Sequence, residues 1–434
     1  MLKFLRPAWD KIFSIANKPF AKSVALIASG GAIAQVLNFA VSPILSRLFT
    51  PEAFGLLGLF VAVSGLLSAC STLRYELPIV IARQLQAGAA LVHLCIVISV
   101  IMAVISSVII FFWGNNVGAT FNVPQLVPYL YLVPFSILFS GIFLAFSQWA
   151  CRRKEFGLLA KNPITRTGTT LTINLGAGLM SLGQGWLIFG FVMGQLAAGV
   201  GVALRIMKKD WKVLRPRIRA WRRIVAMAKR YRRFPQFSAP QAMVNVASQQ
   251  MPNFILGFFF GPVTLGLYWL TVRVLHAPSI LIGQSVRQVY YQKVCENLNL
   301  GRSILPLLIK ATLGLVTLGA VCFLPIILFG PFIFSIVFGE PWIIAGEYAR
   351  WVSLWSWAGF TNVPAFCSIQ ALGLQKELFV YETILFVIRN GALLIFSMAG
   401  SPLDSIIAFA ITGFFFNTAL VLYAFKASKV RYKV

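Results

Sequence analysis

The sequence predicts an all-α membrane protein that crosses the bilayer many times. Of its 434 residues, 59% are hydrophobic and only 11% are charged, and the mean hydropathy is +0.82. Soluble proteins average roughly 45–50% apolar and about 25% charged residues, so this composition excludes a soluble enzyme, a disordered chain and a secreted disulfide scaffold. Helices are expected because a backbone in lipid must satisfy its own hydrogen bonds.

Apolar stretches long enough to cross the bilayer recur along the chain. Because a spanning helix needs roughly 20 apolar residues, the sequence predicts twelve transmembrane helices. They cover residues 23–46, 54–73, 88–113, 125–150, 164–182, 186–206, 236–258, 262–286, 304–329, 347–370, 377–399 and 404–425.

The longest hydrophilic stretch divides these spans into two groups of six. Residues 207–235 contain 12 basic residues and one acid, Asp210. The expected domains are a basic N-terminal arm, an N-terminal six-helix lobe, a basic linker, a C-terminal six-helix lobe and a basic tail. Their bounds are 1–22, 23–206, 207–235, 236–425 and 426–434.

The basic residues alternate with the spans. Of the 38 Lys and Arg residues, 31 lie in the N-terminal arm, the even-numbered connections and the tail, whereas one, Arg47, lies in an odd-numbered connection. The positive-inside rule therefore places both termini in the cytoplasm. The net charge of +27 is then a topology signal, and no nucleic-acid partner is expected.

Two basic segments are candidates for contact with anionic lipids. The N-terminal arm either lies on the inner leaflet or simply keeps the N-terminus inside. In the linker, residues 218–231 predict an amphipathic helix along the membrane surface, with Ile218, Trp221, Ile224, Val225 and Met227 on its apolar side.

Signatures of enzymes and cofactors are missing from the sequence. The six cysteines have no short pairing motif, so no zinc, haem or iron–sulfur spacing exists, and no Gly-rich phosphate loop ends in Lys-Ser or Lys-Thr. The chain is therefore expected to need no cofactor or metal. A membrane glycan polymerase or ligase is disfavoured because the outer connections are short, the longest being residues 330–346.

Cations inside the spans predict an anionic cargo. Arg273 and Arg389 lie near the middle of their spans, where a charge costs roughly 2.5–3.5 kcal/mol. Arginine suits phosphate and carboxylate oxygens, so both are predicted to bind substrate, with Arg350 and Lys310 as secondary contacts. Three alternatives stay open: an ion pair between Arg389 and Glu382, an aromatic belt around Arg350, and snorkelling of Lys310.

Amide side chains form polar stripes in two spans. Asn245, Gln249 and Asn253 follow each other at intervals of four residues in the seventh span, and Gln35 and Asn38 share a face of the first. These amides are candidate contacts for sugar hydroxyls. Hydrogen bonding between helices is an equal alternative.

An internal repeat relates the two halves. Ile44, Leu45, Pro51, Gly55 and Leu56 recur 211 residues later as Ile255, Leu256, Pro262, Gly266 and Leu267. With six spans in each half, the repeats are parallel. Transporters built from repeats place the substrate site at the interface of the repeats.

Two blocks of the sequence resemble the bacterial polysaccharide-export and O-antigen flippase family. Residues 29–83 contain RLFTPEAFG at 47–55 and RYELPI at 74–79. Residues 228–296 contain YRRFP at 231–235, QQMP at 249–252, GLY at 266–268 and RVL at 273–275. The resemblance implies a V-shaped, two-lobed bundle of the multidrug/oligosaccharidyl-lipid/polysaccharide exporter superfamily.

The resemblance also implies a function in the bacterial inner membrane. Such a protein flips an undecaprenyl-diphosphate-linked oligosaccharide to the outer leaflet, and its expected partners include a polysaccharide polymerase and chain-length regulators. The drug-extruding branch relies on an acid in its first span, whereas residues 23–46 contain none. Glu382, Glu347 and Glu76 are therefore the candidates for ion coupling. The alternative function within transport is ion-coupled export of small organic molecules.

Overall fold

The computed structural model describes residues 19–121, 123–215 and 220–430. Over these residues the chain forms helices joined by turns, without a β-strand. The all-α prediction is therefore confirmed. Most of the N-terminal arm, linker residues 216–219 and tail residues 431–434 lie outside the described residues.

The first half of the chain begins with a pair of helices that meet at a tight turn before Pro51. A four-residue helix, a very long helix and a second four-residue helix follow. The half closes with three further long helices and the linker helix. In order they are α1 (Pro19–Leu48), α2 (Pro51–Ser68), α3 (Pro78–Ile81), α4 (Leu85–Thr120), α5 (Val127–Leu130), α6 (Val133–Arg152), α7 (Phe156–Leu179), α8 (Trp186–Leu214) and α9 (Ala220–Arg230).

The second half begins with the longest helix, and a π-helical segment, Ser279–Gly283, joins it to the next. Its helices are α10 (Ala239–Pro278), α11 (Gln284–Asn299), α12 (Leu305–Phe338), α13 (Ile343–Thr361), α14 (Val363–Ala371), α15 (Gln375–Ala399) and α16 (Pro402–Val430).

Each of the twelve predicted spans overlaps one or more of these helices. Within the described residues, nine helices are long and apolar enough to cross a membrane. The helical stretch Phe234–Gly283 counts once among the nine, although Gly261 interrupts it with φ 76° and ψ −175°, between the two spans predicted there. The helices α7 and α13 are not in the set. The chain is thus a multi-pass membrane protein, and the count of twelve stays a prediction.

One of two compact units combines the described residues up to Asn38 with Val63–Asn115 and Val127–Ala247. A buried polar contact in this unit is centred on Asp210, where a non-helical conformation bends α8. The buried Asp210 carboxylate accepts hydrogen bonds from Trp149 Nε1 at 2.8 Å and from Arg153 Nε at 2.9 Å. These bonds fix the end of α6 against the part of α8 that extends beyond the predicted span.

The linker helix α9 packs on this same unit. Ile224 is buried and Met227 packs beside it in a core that also contains Trp149, whereas Trp221 is 61% exposed. Burial and the neighbouring Cys95 raise the pKa of Tyr75. Its hydroxyl donates to the carbonyl oxygen of Ala228 at 3.0 Å. The expected amphipathic helix exists, but part of its apolar side covers protein.

The other unit combines Phe39–Ala62, Asn116–Leu126 and Ser248–Val434. Inside it, the two copies of the sequence repeat pack on each other. A Cβ atom added at Gly55 would lie 1.8 Å from the Pro262 carbonyl oxygen, and one added at Gly266 would lie 1.8 Å from the Pro51 oxygen. The two glycines and two prolines of these contacts thus bring α2 and the second part of α10 into reciprocal backbone contact.

Candidate functional site

Arg389 is the centre of the candidate site. It lies on α15, and its guanidinium carbon is 4.9 Å from the centre of the Trp355 ring and 4.4 Å from that of Phe409. Its Nε is buried without a hydrogen-bond partner, and within the described residues no carboxylate forms an ion pair with it. The expected alternative of a pair with Glu382 is wrong, because Glu382 is exposed and forms no ion pair with Arg389.

Aromatic side chains from three other helices surround Arg389. Trp355 of α13 lies 5.3 Å from Phe409 of α16, ring centre to ring centre, and 5.8 Å from His276 of α10. Tyr268 of α10 lies 6.5 Å from Phe409. We name these five residues, Arg389, Trp355, Phe409, His276 and Tyr268, the arginine–aromatic cluster. All of them belong to one compact unit.

A glycine makes room for this cluster. A Cβ atom added at Gly413 on α16 would lie 2.6 Å from the Trp355 ring. The close approach of α16 lets Trp355 contact both Phe409 and Arg389. Rings of this kind attract a cation by about 0.5–2 kcal/mol through their electron-rich faces, which offsets part of the cost of burying the guanidinium but leaves its charge uncompensated.

Several other polar atoms of this unit are buried without a hydrogen-bond partner. They include the hydroxyl of Tyr381 and the side-chain oxygen of Asn390, which neighbours Arg389 on α15. A buried polar group left unbonded costs about 1–3 kcal/mol. The Tyr381 hydroxyl and Arg389 Nε can each donate a hydrogen bond to an anionic ligand, whereas the Asn390 oxygen can only accept one, for example from a hydroxyl group.

Arg273 is a second arginine that contacts an aromatic ring. Its guanidinium carbon is 5.1 Å from the centre of the Trp269 ring, and Trp269 in turn lies 6.1 Å from Phe54. On α10, Arg273 precedes the cluster residue His276 by three positions, which places both on one side of the helix. Its predicted role in binding substrate stays a prediction.

The two secondary cations are placed differently. Arg350 is paired with Glu347 at 3.3 Å and donates through Nε to the carbonyl oxygen of Ile327 at 3.1 Å. Lys310 is exposed on α12. Trp355, expected in an aromatic belt near Arg350, belongs to the cluster around Arg389 instead. Both secondary roles stay predictions.

Asn38 and Asn253 are among the five candidate amides, and both donate hydrogen bonds to other side chains of the protein. Asn38 donates to Thr167 Oγ1 at 3.3 Å, and Asn253 donates to Gln250 Oε1 at 2.8 Å. Gln35 is half-buried, whereas Asn245 and Gln249 are exposed. For Asn38 the alternative of a bond between helices is therefore present, and contact with a glycan stays a prediction for all five.

Glu76 is the most enclosed of the three candidates for ion coupling. It lies in the turn between α2 and α3, where Leu73 and Arg74 adopt the positive φ values 48° and 63°. Its buried carboxylate accepts hydrogen bonds from Thr72 Oγ1 and from Arg74 Nη1, the latter at 3.3 Å. Glu347 is tied to Arg350 and Glu382 is exposed, so Glu76 is the one held in a core.

The comparison with protein families decides what kind of chain carries this site. Residues 44–347 match the family described as polysaccharide biosynthesis protein. This chain belongs to the polysaccharide biosynthesis protein family. The match includes Arg273 and its Trp269 contact, and it ends before α15, so Arg389 lies outside the matched residues. No curated protein sequence matches the chain significantly.

Solved structures show which fold this family member adopts. A multidrug resistance MATE family transporter of the MOP superfamily, in an inward-facing conformation, is similar with a TM-score of 0.62 at 12% identity, covering 93% of this chain and 94% of that one. The lipid II flippase MurJ gives 0.60 at 14%, covering 94% and 87%. A MOP superfamily transporter from Pyrococcus furiosus gives 0.52 at 13%, covering 94% and 95%. The expected exporter-superfamily fold is confirmed.

Sequence reasoning found the central arginine of this polysaccharide biosynthesis protein but missed the residues around it. Tyr268 appeared only within the GLY motif at 266–268. Phe409 and Tyr381 carried no signal, because each is one aromatic residue in an apolar span. The sequence offered Glu382 as a possible ion-pair partner of Arg389, and only the structure shows that aromatic rings surround the guanidinium instead.

Proposed function

We propose that this protein is a flippase for an undecaprenyl-diphosphate-linked oligosaccharide. It moves the O-antigen or another polysaccharide repeat unit from the cytoplasmic to the outer leaflet of a bacterial inner membrane. The lobes 23–206 and 236–425 alternate in exposing the binding site to the two sides. Membership of the polysaccharide biosynthesis family and the exporter fold support a transport role in glycan assembly.

The observation that carries the proposal is Arg389, whose buried Nε has no hydrogen-bond partner and whose guanidinium forms no ion pair with a carboxylate among the described residues. A charge in a span is costly unless it serves a ligand or a pathway. The planar guanidinium of arginine presents several N–H groups to the oxygens of a phosphate, and the lipid-linked substrate brings a diphosphate to this depth when its head crosses the membrane. Aromatic faces such as that of Trp355 also suit the apolar faces of sugar rings.

Two other functions predict different behaviour. An ion-coupled exporter of small organic molecules would transport soluble compounds and would not need a lipid-linked substrate. A membrane polymerase or ligase would lengthen or transfer the glycan. The short outer connections predicted for this chain disfavour such an enzyme. The anionic character expected of the cargo favours the flippase, because the cations of the spans outnumber their acids.

The test is a flipping assay with the purified full-length protein in proteoliposomes. A fluorescent undecaprenyl-diphosphate oligosaccharide is placed in one leaflet, and its arrival in the other is measured by quenching. Arg389→Ala is expected to lower the initial rate by at least about tenfold, since it removes a buried charged contact of the substrate. Arg389→Lys retains the charge without the planar fork and should be intermediate.

The matched control is Arg302→Ala, which removes an exposed arginine from the turn before α12. Its rate should equal that of the unmodified protein. If Arg389→Ala also transports at the normal rate, the assigned role of the cluster is wrong. If the products are longer glycans on the original side, the polymerase is favoured.

Ion coupling and partners belong to the same proposal. Glu76, Glu347 and Glu382 are the candidate coupling residues, and the burial of Glu76 makes it the first of them. The same vesicles with an imposed pH or sodium gradient show whether transport is coupled. The polysaccharide polymerase and chain-length partners would receive the flipped unit at the outer leaflet, and anionic lipids would contact the basic arm and linker.

A further inference from the structure

An apolar groove lies between the last two long helices. Its volume is about 510 Å³, and its walls come from α14, α15 and α16. Its floor consists of the almost fully buried side chains of Ile369, Leu378 and Leu420, whereas Val380 and Tyr423 on its rim are exposed. On helices predicted to cross the membrane, such an open rim faces lipid.

The groove is about as deep as one leaflet of the bilayer. Its lining on α15 runs from Lys376 to Ile384, eight positions that rise about 12 Å at 1.5 Å per residue. The hydrocarbon core of a bilayer is roughly 30 Å thick, so one leaflet accounts for about 15 Å. A single acyl chain can therefore lie along the groove from the membrane surface inward.

Two opposite charges stand at the surface end of the groove, which the positive-inside rule predicts to face the cytoplasm. Lys376 and Glu377 occupy the first turn of α15 and both line the groove. Both are exposed, and within the described residues neither forms an ion pair with another side chain. A cation beside an anion at this place suits a lipid headgroup that carries both charges.

We propose that the groove binds one phospholipid of the inner leaflet whose headgroup carries a phosphate and a primary ammonium group, as in phosphatidylethanolamine. The ammonium of Lys376 donates to the phosphate, and the carboxylate of Glu377 accepts hydrogen bonds from the ammonium of the lipid. One acyl chain fills the groove and gains van der Waals contacts with α15 and α16. A phospholipid without a cation would leave Glu377 beside a phosphate, which is a repulsive contact.

This lipid is a structural ligand of α15 and differs from the transported substrate. Only 17% of the apolar window of α15 is buried, the smallest share among the nine membrane-length helices of the described residues, so a lipid in the groove adds packing that this helix lacks. Arg389 follows Lys376 by thirteen positions, roughly 20 Å along the helix. A headgroup held at Lys376 therefore does not reach the arginine–aromatic cluster, and its binding does not depend on what the protein transports.

The experiment measures binding of phosphatidylethanolamine with a fluorescent acyl chain to the purified full-length protein in detergent. Unlabelled phosphatidylethanolamine should displace this probe about fivefold more effectively than phosphatidylcholine, whose methylated ammonium has no N–H donor, or phosphatidylglycerol, which has no cation. A factor of this size is the upper end for an exposed ion pair.

Filling the groove tests where the acyl chain lies. Ala419→Trp and Ile384→Trp each place a large side chain in the groove, on opposite walls, and each should lower the affinity about tenfold or more because the chain loses its contacts. Thr418→Trp is the matched control. Thr418 neighbours Ala419 on α16, is exposed and does not line the groove, so the affinity should stay unchanged.

Reversing one charge tests the headgroup. Glu377→Lys places two cations at the surface end, and phosphatidylglycerol should then displace the probe more effectively than phosphatidylethanolamine. Because Glu377 is exposed, this variant is expected to fold, and it decides the proposal even if both tryptophan variants in the groove unfold. Gel filtration and thermal unfolding establish the folded state of every variant.

Four results would overturn the proposal. Equal displacement by the three phospholipids would mean a non-selective contact with membrane lipid. Unchanged affinity of folded Ala419→Trp and Ile384→Trp variants would place the lipid elsewhere, and an unchanged preference in Glu377→Lys would remove the role of the carboxylate. Stronger displacement by undecaprenyl diphosphate than by phosphatidylethanolamine would assign the groove to the substrate. Transport has no part in these measurements, so failure of the flipping assay would leave the phospholipid site assigned.

Discussion

At the scale of a residue, the same charged chemistry has opposite uses in the two compact units. Asp210 is buried and fully bonded by Trp149 and Arg153, so its charge is satisfied within the protein. Arg389 is half-buried among aromatic rings with a buried, unbonded Nε, so its charge is available for the proposed ligand. Burial alone therefore does not identify a candidate binding residue. The presence or absence of hydrogen-bond and ion-pair partners within the protein is the more useful criterion.

Asp210→Ala is expected to destabilise the folded protein. The substitution removes the acceptor of Trp149 and one partner of the Arg153 guanidinium, a loss of about 2 kcal/mol for hydrogen bonds to a charged group. The midpoint of thermal unfolding in detergent measures the effect. Glu155→Ala is the control, because the Lys209–Glu155 pair is largely exposed and such pairs contribute about 0–1 kcal/mol. Equal midpoints for the two variants would contradict this assignment.

At the scale of an element, helix positions could be predicted from the sequence because apolar length is a property of one segment. The spans at 377–399 and 404–425 agree with α15 and α16 within a few residues at nearly every end. The extension of α8 to Leu214 could not be predicted in this way, since it depends on the contact of Asp210 with Trp149 of another helix.

The site illustrates the same limit. The position of Arg389 near mid-span could be read from the sequence, but its partners could not. The spacing to Glu382 is two helical turns, roughly 10 Å along the axis, and nothing in that spacing reveals that Glu382 turns outward to the exposed side. Trp355 and Phe409 belong to other helices, so only the packing of α13 and α16 on α15 brings their rings to the guanidinium.

The repeat contact between α2 and α10 provides the prediction for an element. Gly55→Ala and Gly266→Ala should each destabilise the protein, because the new Cβ atom would meet a backbone oxygen at 1.8 Å; overpacking of this kind costs typically 1–3 kcal/mol. Gly314→Ala on α12 is the control, because no atom lies within 4 Å of its Cβ position. There the better helix propensity of alanine should raise stability by about 0.5–1 kcal/mol.

Thermal unfolding of the three glycine variants tests both the predicted losses and the predicted gain of stability. A fall for the two repeat positions and a small rise for Gly314→Ala are expected. Because the two repeat contacts mirror each other, the losses at Gly55 and Gly266 should be similar in size. A rise at either repeat position would show that α2 and α10 separate without loss of stability.

At the scale of the whole molecule, the alternation of basic connections predicts which loops face which side. With twelve spans, the connection before α12 is cytoplasmic and the connection between α12 and α13 is outside. Ser303 and Glu340 lie in these two connections and are both exposed. One span more or fewer between them would put both on the same side, so their accessibility tests the topology directly.

Ser303→Cys and Glu340→Cys, each introduced into a version of the protein whose six native cysteines are replaced by serine, make this test. A membrane-impermeant thiol reagent applied to intact cells should label Glu340→Cys and leave Ser303→Cys unlabelled; after permeabilisation both should react. The cysteine-free protein is the blank. Labelling of both sites in intact cells would exclude a single crossing by α12, and the reverse pattern would place both termini outside. The proposed substrate starts in the cytoplasmic leaflet. The reverse pattern would therefore also mean that the substrate approaches Arg389 from the opposite end of α15.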